Sequence, residues 1–203
     1  MYVPAPNDKE FELPPAGTHK AICYRVIDLG TQDGSYAGQP KQQHKVLVSW
    51  ELPEEKMTDG RPFTISQRYT WSMSEKATLR KHLEAWRGVK FIDSDFGPDG
   101  FNIKKIVGLG CLLTIVHNER EDKTYANIVS ISKVMKGMEV PPPSNETAYL
   151  WLDRTIWQDG VFQKLSDNLK GTIMKSPEYH ALANGTEIPA SKPRGDMDDE
   201  IPF

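Results

Sequence analysis

The sequence predicts a mainly β domain of five strands, with one principal helical region between the third and fourth strands. Two observations predict this class. Several short segments alternate apolar and polar side chains, which is the period of a half-buried strand, and turn residues separate these segments. The 203-residue chain divides into an N-terminal arm (1–16), a β domain (17–137), a helical extension (138–183) and a flexible linker with an acidic tip (184–203).

The first strand is predicted over residues 18–29, where β-branched and aromatic residues dominate, and it ends at Gly30. Glycines and a proline then predict a mobile loop over residues 31–44. Clean alternation of apolar and polar residues predicts two further strands, 45–52 and 63–71, which we expect to form a hairpin.

A helix is predicted over residues 74–87, because Ser72 and Glu75 have the spacing of a capping box and Gly88 lies where a helix end is expected. Its apolar face would consist of Leu79, Leu83 and Trp86. A short helical turn is predicted at 103–107, followed by strands at 111–117 and 125–134 that a charged turn connects.

After Gly137 the composition changes, and three consecutive prolines interrupt the chain. Ser144 is a candidate cap for a helical segment with apolar residues between Tyr149 and Trp157, and a further helix is predicted from Phe162 until Pro177 interrupts it. This region is too small to hold its own core. Its apolar stripe must therefore pack on the β domain or on a second copy of the chain.

Several classes of site are not expected. Cys23 and Cys111 lie in apolar runs without metal-ligand spacing, which predicts reduced core thiols rather than zinc. A calcium loop starting at Asp93 would need glutamate where Lys104 stands. There is no phosphate-binding loop, nucleophile elbow or histidine pair at metal spacing, so we expect neither an enzyme nor a cofactor. Without a membrane span or targeting segment, we expect a cytoplasmic protein.

The charge is distributed unevenly along the chain. Residues 16–136 carry a net charge of +4, and residues 137–203 carry a net charge of −5. A mildly basic body with an acidic tail suits a nucleic-acid-binding protein whose tail competes for its own groove, although +4 over this length also describes an ordinary surface.

The order of five strands and one helical insert resembles the OB-fold, a five-stranded, partly open barrel. That fold binds nucleic acid on strands two and three and in the loops joining strands one to two and four to five. Bases stack on aromatic rings there, and cations pair with phosphates. The resemblance implies these binding residues: Arg25 on the first strand, Tyr36, Lys41 and His44 in the first loop, Lys45, Arg68, Tyr69 and Trp71 on the next two strands, and Arg120 and Lys123 in the last loop.

Four of these residues have alternative interpretations. Tyr36 either stacks on a base or anchors its loop on the barrel rim. Tyr69 and Trp71 share a face with core residues, and either ring reaches the groove only if the strand bulges between them. Arg25 faces either the groove or a solvated edge.

The last eight residues, 196–203, combine four carboxylates with an Ile-Pro-Phe ending that carries its own terminal carboxylate. Such a segment cannot fold alone, so we expect it to become ordered only in an apolar pocket ringed by Lys and Arg, or to remain a solvated acidic tail. Its ending resembles the C-terminal tip of bacterial single-stranded-DNA-binding proteins, which recruits replication and repair enzymes. The residues that carry this resemblance are Asp198, Asp199, Glu200, Ile201, Pro202 and Phe203.

Fold and tip together make the chain similar to the single-stranded-DNA-binding proteins encoded by bacteriophages. The resemblance implies binding of single-stranded DNA without strong sequence preference during phage DNA replication, recombination or repair, in the cytoplasm of the bacterial host. The helical extension departs from the bacterial family, so we expect a monomer or homodimer rather than a tetramer. Two alternatives remain: an adaptor or decoy that mimics the host tail without binding DNA, and an accessory subunit of a nuclease or polymerase.

Overall fold

The computed structural model describes residues 12–36, 39–98, 100–121 and 123–188, with only the backbone described at Ser35 and Tyr36. The predicted tip and most of the predicted N-terminal arm lie outside the described residues. The strands within these ranges are β1 (Gly17–Tyr36), β2 (Gln39–Lys56), β3 (Pro62–Thr70), β4 (Gly110–Arg120), β5 (Lys123–Ser132) and β6 (Ala148–Leu150). The helices are α1 (Thr78–Arg87), α2 (Asp159–Gln163), α3 (Asp167–Met174) and α4 (Pro177–Asn184), with 3₁₀ turns at Asp93–Asp95 and Ile103–Ile106.

Five of the strands form an antiparallel sheet in the order β3-β2-β1-β4-β5, and β6 pairs in parallel with β1. The mainly β class predicted from the sequence is therefore confirmed. In the part of the chain that the structure describes, β3 and β5 do not pair with each other. The sheet is consequently not closed into a barrel.

The first core lies on one face of this sheet. Val46, Val48, Trp50 and Leu52 of β2 are almost completely buried there. Trp50 lies opposite Ile65 of β3, as expected for the predicted hairpin. The two free cysteines, Cys23 and Cys111, are buried in the same core. Other strands and α1 complete it with Leu113 and Ile115 of β4, Ile128 and Ile131 of β5, and Leu79, Leu83 and Trp86 of α1.

Strand β1 contributes side chains to two cores because its register shifts twice, between Cys23 and Arg25 and between Asp28 and Gly30. Such bulges change which residues face each side of a sheet. Cys23 and Val26 face the first core, whereas Ile27 and Leu29 face a second core on the opposite side.

The predicted mobile loop at residues 31–44 is wrong. The described part of this segment continues β1 and β2 as a two-stranded antiparallel ribbon, from the pair Thr31–His44 to the pair Tyr36–Gln39. Gln42 also donates across the ribbon to Asp33, with Nε2 and Oδ1 3.0 Å apart. Both faces of this ribbon are polar, so its sequence lacks the apolar alternation by which strands are recognised.

Helix α1 begins later than predicted, and the predicted capping box is wrong. Ala77 is the N-cap residue and provides no side-chain cap, while the hydroxyl of Ser72 accepts from the backbone N–H of Ser74 instead. Trp71 and Met73 pack against the first core, which keeps the chain before Thr78 out of the helix. The predicted end is confirmed: Gly88 adopts a left-handed conformation, with φ of 75°, and donates to the carbonyl of Glu84.

The segment after Ser144 was expected to be helical, and this prediction is wrong at its beginning. Residues 148–150 form strand β6, so alternate side chains point in opposite directions. Tyr149 and Trp151 pack against the first core, whereas Leu150 and Leu152 belong to the second. A strand that is buried on both faces is a continuous run of apolar residues. Periodicity cannot distinguish such a run from a buried helix.

The helical extension packs on the chain's own sheet. The second core contains Phe162 of α2, Leu165 between α2 and α3, and Ile173 of α3, together with side chains of β1 and β2. Pro177, expected to interrupt a helix, lies in the first turn of α4, where Ser176 accepts a capping hydrogen bond from the N–H of Tyr179 at 3.1 Å.

A buried carboxylate attaches the chain before β6 to the sheet. Glu51 is inaccessible to solvent and accepts from the backbone N–H groups of Ser144 and Asn145, both at 2.8 Å. Burial alone would raise the pKa of Glu51, but these hydrogen bonds lower it below its ordinary value.

Replacing Glu51 by glutamine is expected to lower the free energy of unfolding by about 2 kcal/mol, because an amide group cannot accept both N–H bonds with two oxygens. Urea denaturation measures the change. The matched control is Glu54→Gln, which alters an exposed carboxylate on the same strand. Equal stabilities of the two variants would contradict a structural role for Glu51.

Candidate nucleic-acid interface

Three of the predicted cations share the outer face of the sheet, opposite the first core. Arg25 lies across from Ser49 and donates to its Oγ atom from Nε and Nη2, each at 3.5 Å. Lys45 donates from Nζ to Thr70 Oγ1 at 2.7 Å. Arg68, two positions before Thr70, is exposed on the same face. The structure thus brings Arg25, Lys45 and Arg68 onto one surface.

The predicted residues of the first loop lie on the ribbon and are separated from one another. Tyr36 pairs with Gln39 at its tip, and Lys41 pairs with Gly34 further down. His44 lies at the base of the ribbon, where its ring is largely buried. Only Lys41 and Tyr36 therefore belong to the part of the ribbon that extends beyond the cores.

The predicted residues of the last loop, Arg120 and Lys123, form the final pair of the β4–β5 hairpin and are exposed. This hairpin points away from the ribbon. Since Gly17 at the start of β1 already pairs with Ile115, the hairpin tip extends past the beginning of β1, whereas Tyr36 marks its end. The structure does not bring these two sets of residues together.

Tyr69 does not lie in a groove. Its ring is 3% exposed, and its hydroxyl forms a 2.9 Å hydrogen bond with Nδ1 of His82. The pairing of β2 with β3 shifts only beyond Leu52, so no bulge between Tyr69 and Trp71 turns either ring outward. Of the two interpretations of Tyr69, the structure shows burial in the first core.

Trp71 instead belongs to a set of four partly buried rings, which we call the aromatic cluster: His44, Trp71, Tyr149 and Trp151. The planes of Tyr149 and Trp151 are parallel within 5°, with ring centroids 6.0 Å apart. Trp71 meets Trp151 edge to face at 4.7 Å, and His44 stacks on Trp151 at 6.1 Å. Such arrangements satisfy the preferred geometries of aromatic pairs.

Three separate parts of the chain position the aromatic cluster. Tyr149 and Trp151 point the same way because they are two residues apart on and just after β6. Trp71 immediately follows β3, and its backbone N–H donates to the carbonyl of His44 on β2 at 2.7 Å. The cluster therefore closes one end of the first core, where β2, β3 and β6 meet.

Cations adjoin this end of the core. The Nζ atom of Lys104 lies 5.6 Å from the ring centroid of Tyr149, within the range of a cation–π interaction. Lys45 follows His44 directly on β2, so its side chain lies on the opposite face of the sheet from the aromatic cluster. Burial, followed by the charges of Asp28 and Asp153, raises the pKa of Tyr149 to about 12, so its ring is neutral at physiological pH.

A buried ionic network contacts the aromatic cluster through the ring of His44. Nε2 of His44 donates to Oδ1 of Asp28 at 2.6 Å, and Nδ1 lies 3.6 Å from Oε1 of Glu178 on α4. Asp28 also accepts from the N–H groups of Gly30 and Leu152. The network thereby connects β1, β2, the chain after β6 and α4.

Opposing effects set the charges of this network. Burial alone would lower the pKa of His44, but Asp28 and Glu178 raise it to about 9. Burial alone would raise the pKa of Glu178, but its contacts with His44 and Thr31 lower it to about 2. His44 is therefore a cation and Glu178 an anion at neutral pH.

Sequence reasoning missed Tyr149, Trp151 and Lys104. The alternation of Tyr149 and Trp151 with Leu150 and Leu152 was available in the sequence, but an apolar run of this length is ambiguous between helix and strand. No signal in the sequence indicates that Lys104 lies over Tyr149.

No protein-family model matches this chain, and no curated protein matches it either. Among the described residues, no group of three or more His, Cys, Asp and Glu side chains is arranged to hold a metal ion. Nor does any helix in the described ranges have the length and apolar character needed to cross a membrane.

Proposed function

We propose that this protein binds single-stranded DNA without strong sequence preference and recruits partner enzymes through residues 198–203. The aromatic cluster beside Lys104, with Lys45 on the opposite face of the same part of the sheet, is the observation that carries the proposal. Single-stranded nucleic acids bind where aromatic rings offer faces to bases and cations contact the backbone. Stacking tolerates every base, which accounts for the absence of sequence preference.

The topology supports the same function. A five-stranded antiparallel sheet with α1 between β3 and β4 is compatible with an OB-fold whose barrel is open between its edge strands. In that fold, strands two and three contribute the binding surface. The end of β3 and the part of β2 that pairs with it, with His44, Lys45, Thr70 and Trp71, correspond to that surface here.

In the binding mode that we infer, bases stack at the aromatic cluster, while Lys45, Arg68 and Lys104 neutralise phosphates. Association should then weaken as salt rises, because bound cations are released from the DNA when lysine and arginine replace them. Tyr36 and Lys41 on the ribbon lengthen the surface on one side.

Titration of the intrinsic tryptophan fluorescence with oligothymidylate and with duplex DNA tests the proposal at two salt concentrations. We expect quenching by the single strand, because Trp71 and Trp151 lie in the cluster, and weaker binding at the higher salt concentration. Absence of binding at low salt would contradict the proposal and favour an adaptor that carries only the tip.

Trp151→Leu is expected to weaken oligothymidylate binding about tenfold, since loss of one stacked base costs about 1–3 kcal/mol. Leucine retains apolar contacts with the first core but offers no ring. Fluorescence anisotropy of a labelled oligonucleotide measures the affinity, with Trp157→Leu as the matched control because Trp157 packs in the second core.

The double variant Tyr36→Ala/Arg68→Ala tests the outer face and the ribbon independently, and we expect it to weaken binding several-fold. If this variant binds normally while Trp151→Leu does not, the DNA contacts the aromatic cluster but not the outer face. If Trp151→Leu binds as tightly as Trp157→Leu, the cluster has only a structural role.

A further inference from the structure

A second surface, which we call the α1 cleft, lies away from the aromatic cluster. It has a volume of about 410 Å³ and is bounded by α1, the chain after β5 and the turn at Ile103–Ile106. The walls are apolar, and they share no residue with the aromatic cluster. The side chains that form them are Leu83, Trp86, Phe91, Phe101, Ile106 and Leu109.

Cations surround the opening of the α1 cleft. Arg87 is paired with Asp95 at 3.0 Å and lies over the ring of Phe91. Lys105 and Lys133 are exposed, and neither has an ion-pair partner among the described residues. The cleft therefore combines an apolar interior with two cations whose charges are not matched by the residues that the structure describes.

Part of the apolar wall of the cleft is exposed to solvent. Leu109, which lies in this wall, is 51% exposed. Contiguous apolar surface next to polar residues is typical of a site that binds another segment or protein. The unmatched lysines indicate that this ligand is acidic as well as apolar.

We propose that residues 198–203 of the same chain bind in the α1 cleft. This segment places three carboxylates, Asp198, Asp199 and Glu200, directly before Ile201, Pro202 and Phe203. The apolar residues fit the interior of the cleft, and the carboxylates fit Lys105 and Lys133 at its opening. No other segment of the sequence combines these two properties at this spacing.

The length of the intervening chain permits this contact. Residue 188 is the last described one, and the fifteen residues that follow span up to about 50 Å when extended. A compact chain of this size has a radius of gyration of about 17 Å, which corresponds to a sphere about 43 Å across. The chain after residue 188 is therefore long enough to span a distance comparable to the width of the body.

Docking in the α1 cleft would withhold the tip from partner enzymes while leaving the aromatic cluster open. The inference rests on the chemistry of the cleft and the tip, and it does not require the protein to bind DNA. Failure of the oligonucleotide titration therefore leaves it intact, and its own failure leaves the titration unaffected.

A spin label on the full chain tests the proposal. Met197→Cys provides a single reactive thiol, because Cys23 and Cys111 are buried and burial raises the pKa of both thiols above the ordinary value. In ¹H–¹⁵N spectra of the labelled protein, we expect the amide signals of Leu109 and Val134 to lose most of their intensity. Signals of Thr64 and Ser66 on β3 serve as the internal reference.

Three changes should restore the lost signals. Ile201→Ser/Phe203→Ser removes the apolar residues, Lys105→Glu reverses a charge at the opening, and high salt screens the ion pairs. Lys175→Glu makes the same charge change on the surface after α3 and should restore nothing. Full intensity at Leu109 and Val134 in the labelled protein would overturn the proposal.

A mixed sample distinguishes docking within one chain from docking between chains. Spin-labelled protein without ¹⁵N is combined with ¹⁵N-labelled protein that carries no spin label. Docking within one chain predicts no signal loss in this sample. Loss at Leu109 in the mixed sample would overturn the proposal in favour of exchange between two copies.

Discussion

Replacement of Glu178 by alanine is expected to lower the free energy of unfolding by about 3–5 kcal/mol, the cost of removing one partner from a buried ion pair. Glu178 is 3% exposed and lies 3.6 Å from the protonated ring of His44. It also accepts from the backbone N–H and the hydroxyl of Thr31. The variant leaves all three donors without this acceptor, and desolvated donors are costly.

Urea denaturation at neutral pH measures this effect, and Glu187→Ala is the matched control because Glu187 is exposed at the end of the described chain. The control should change stability by no more than about 0.5 kcal/mol. Since Glu178 accepts a hydrogen bond from the backbone N–H of Thr31, amide exchange at Thr31 should also accelerate in the variant. A loss equal to that of the control would contradict the contribution assigned to the network.

Stability is expected to fall by about 3 kcal/mol as pH rises from about 6.5 through 9, because His44 loses its proton in the folded state. The folded pKa of His44 is about 9, against 6.5 for the ordinary side chain. A raised pKa means that the folded state binds the proton more tightly, so the stabilisation is complete below the ordinary value and disappears above the folded one. Glu178, with its lowered pKa of about 2, gives the opposite dependence: its contribution is present above about 4.5 and is lost at lower pH.

Denaturation curves at several pH values between 6 and 10 measure the alkaline loss. His44→Asn should be less stable at pH 6 and should lack most of the decline, whereas His180→Asn, which alters an exposed histidine, should retain it. A His44→Asn variant with an unchanged decline would assign the titration to another group.

The sequence predicts strands well where one face is buried. Phe63, Ile65 and Tyr69 of β3 are separated by polar residues, and the structure buries all three in the first core. The sequence does not predict the ribbon, because both of its faces are polar. A strand of this kind shows no alternation of apolar and polar residues. The chain around Leu150 was misassigned for the opposite reason, since both of its faces are apolar and buried.

The candidate interface was predictable only in part. Local patterns placed Lys45 and Arg68 on strands and Trp71 at a strand end, because each lies next to a recognisable alternation. The aromatic cluster requires Trp71 and Trp151 to meet across 80 positions, and the ionic network requires Asp28 and Glu178 to approach across 150. Such contacts depend on how the second core folds against β1, which no local pattern contains.

Strand β1 has two parts that differ in their tolerance of insertions and deletions. The first is the bulged part within residues 17–30, and the second is the part that forms the polar ribbon. Within residues 17–30, insertion or deletion of one residue would rotate each following side chain from one core to the other. No described residue at positions 31–43 belongs to either core, although Thr31 and Gln32 donate hydrogen bonds to Glu178 and Thr172. Beyond Gln32, two residues can therefore be added to or removed from each strand of the ribbon without disturbing the body of the protein. A longer or shorter ribbon would thus extend or reduce the outer surface of this fold.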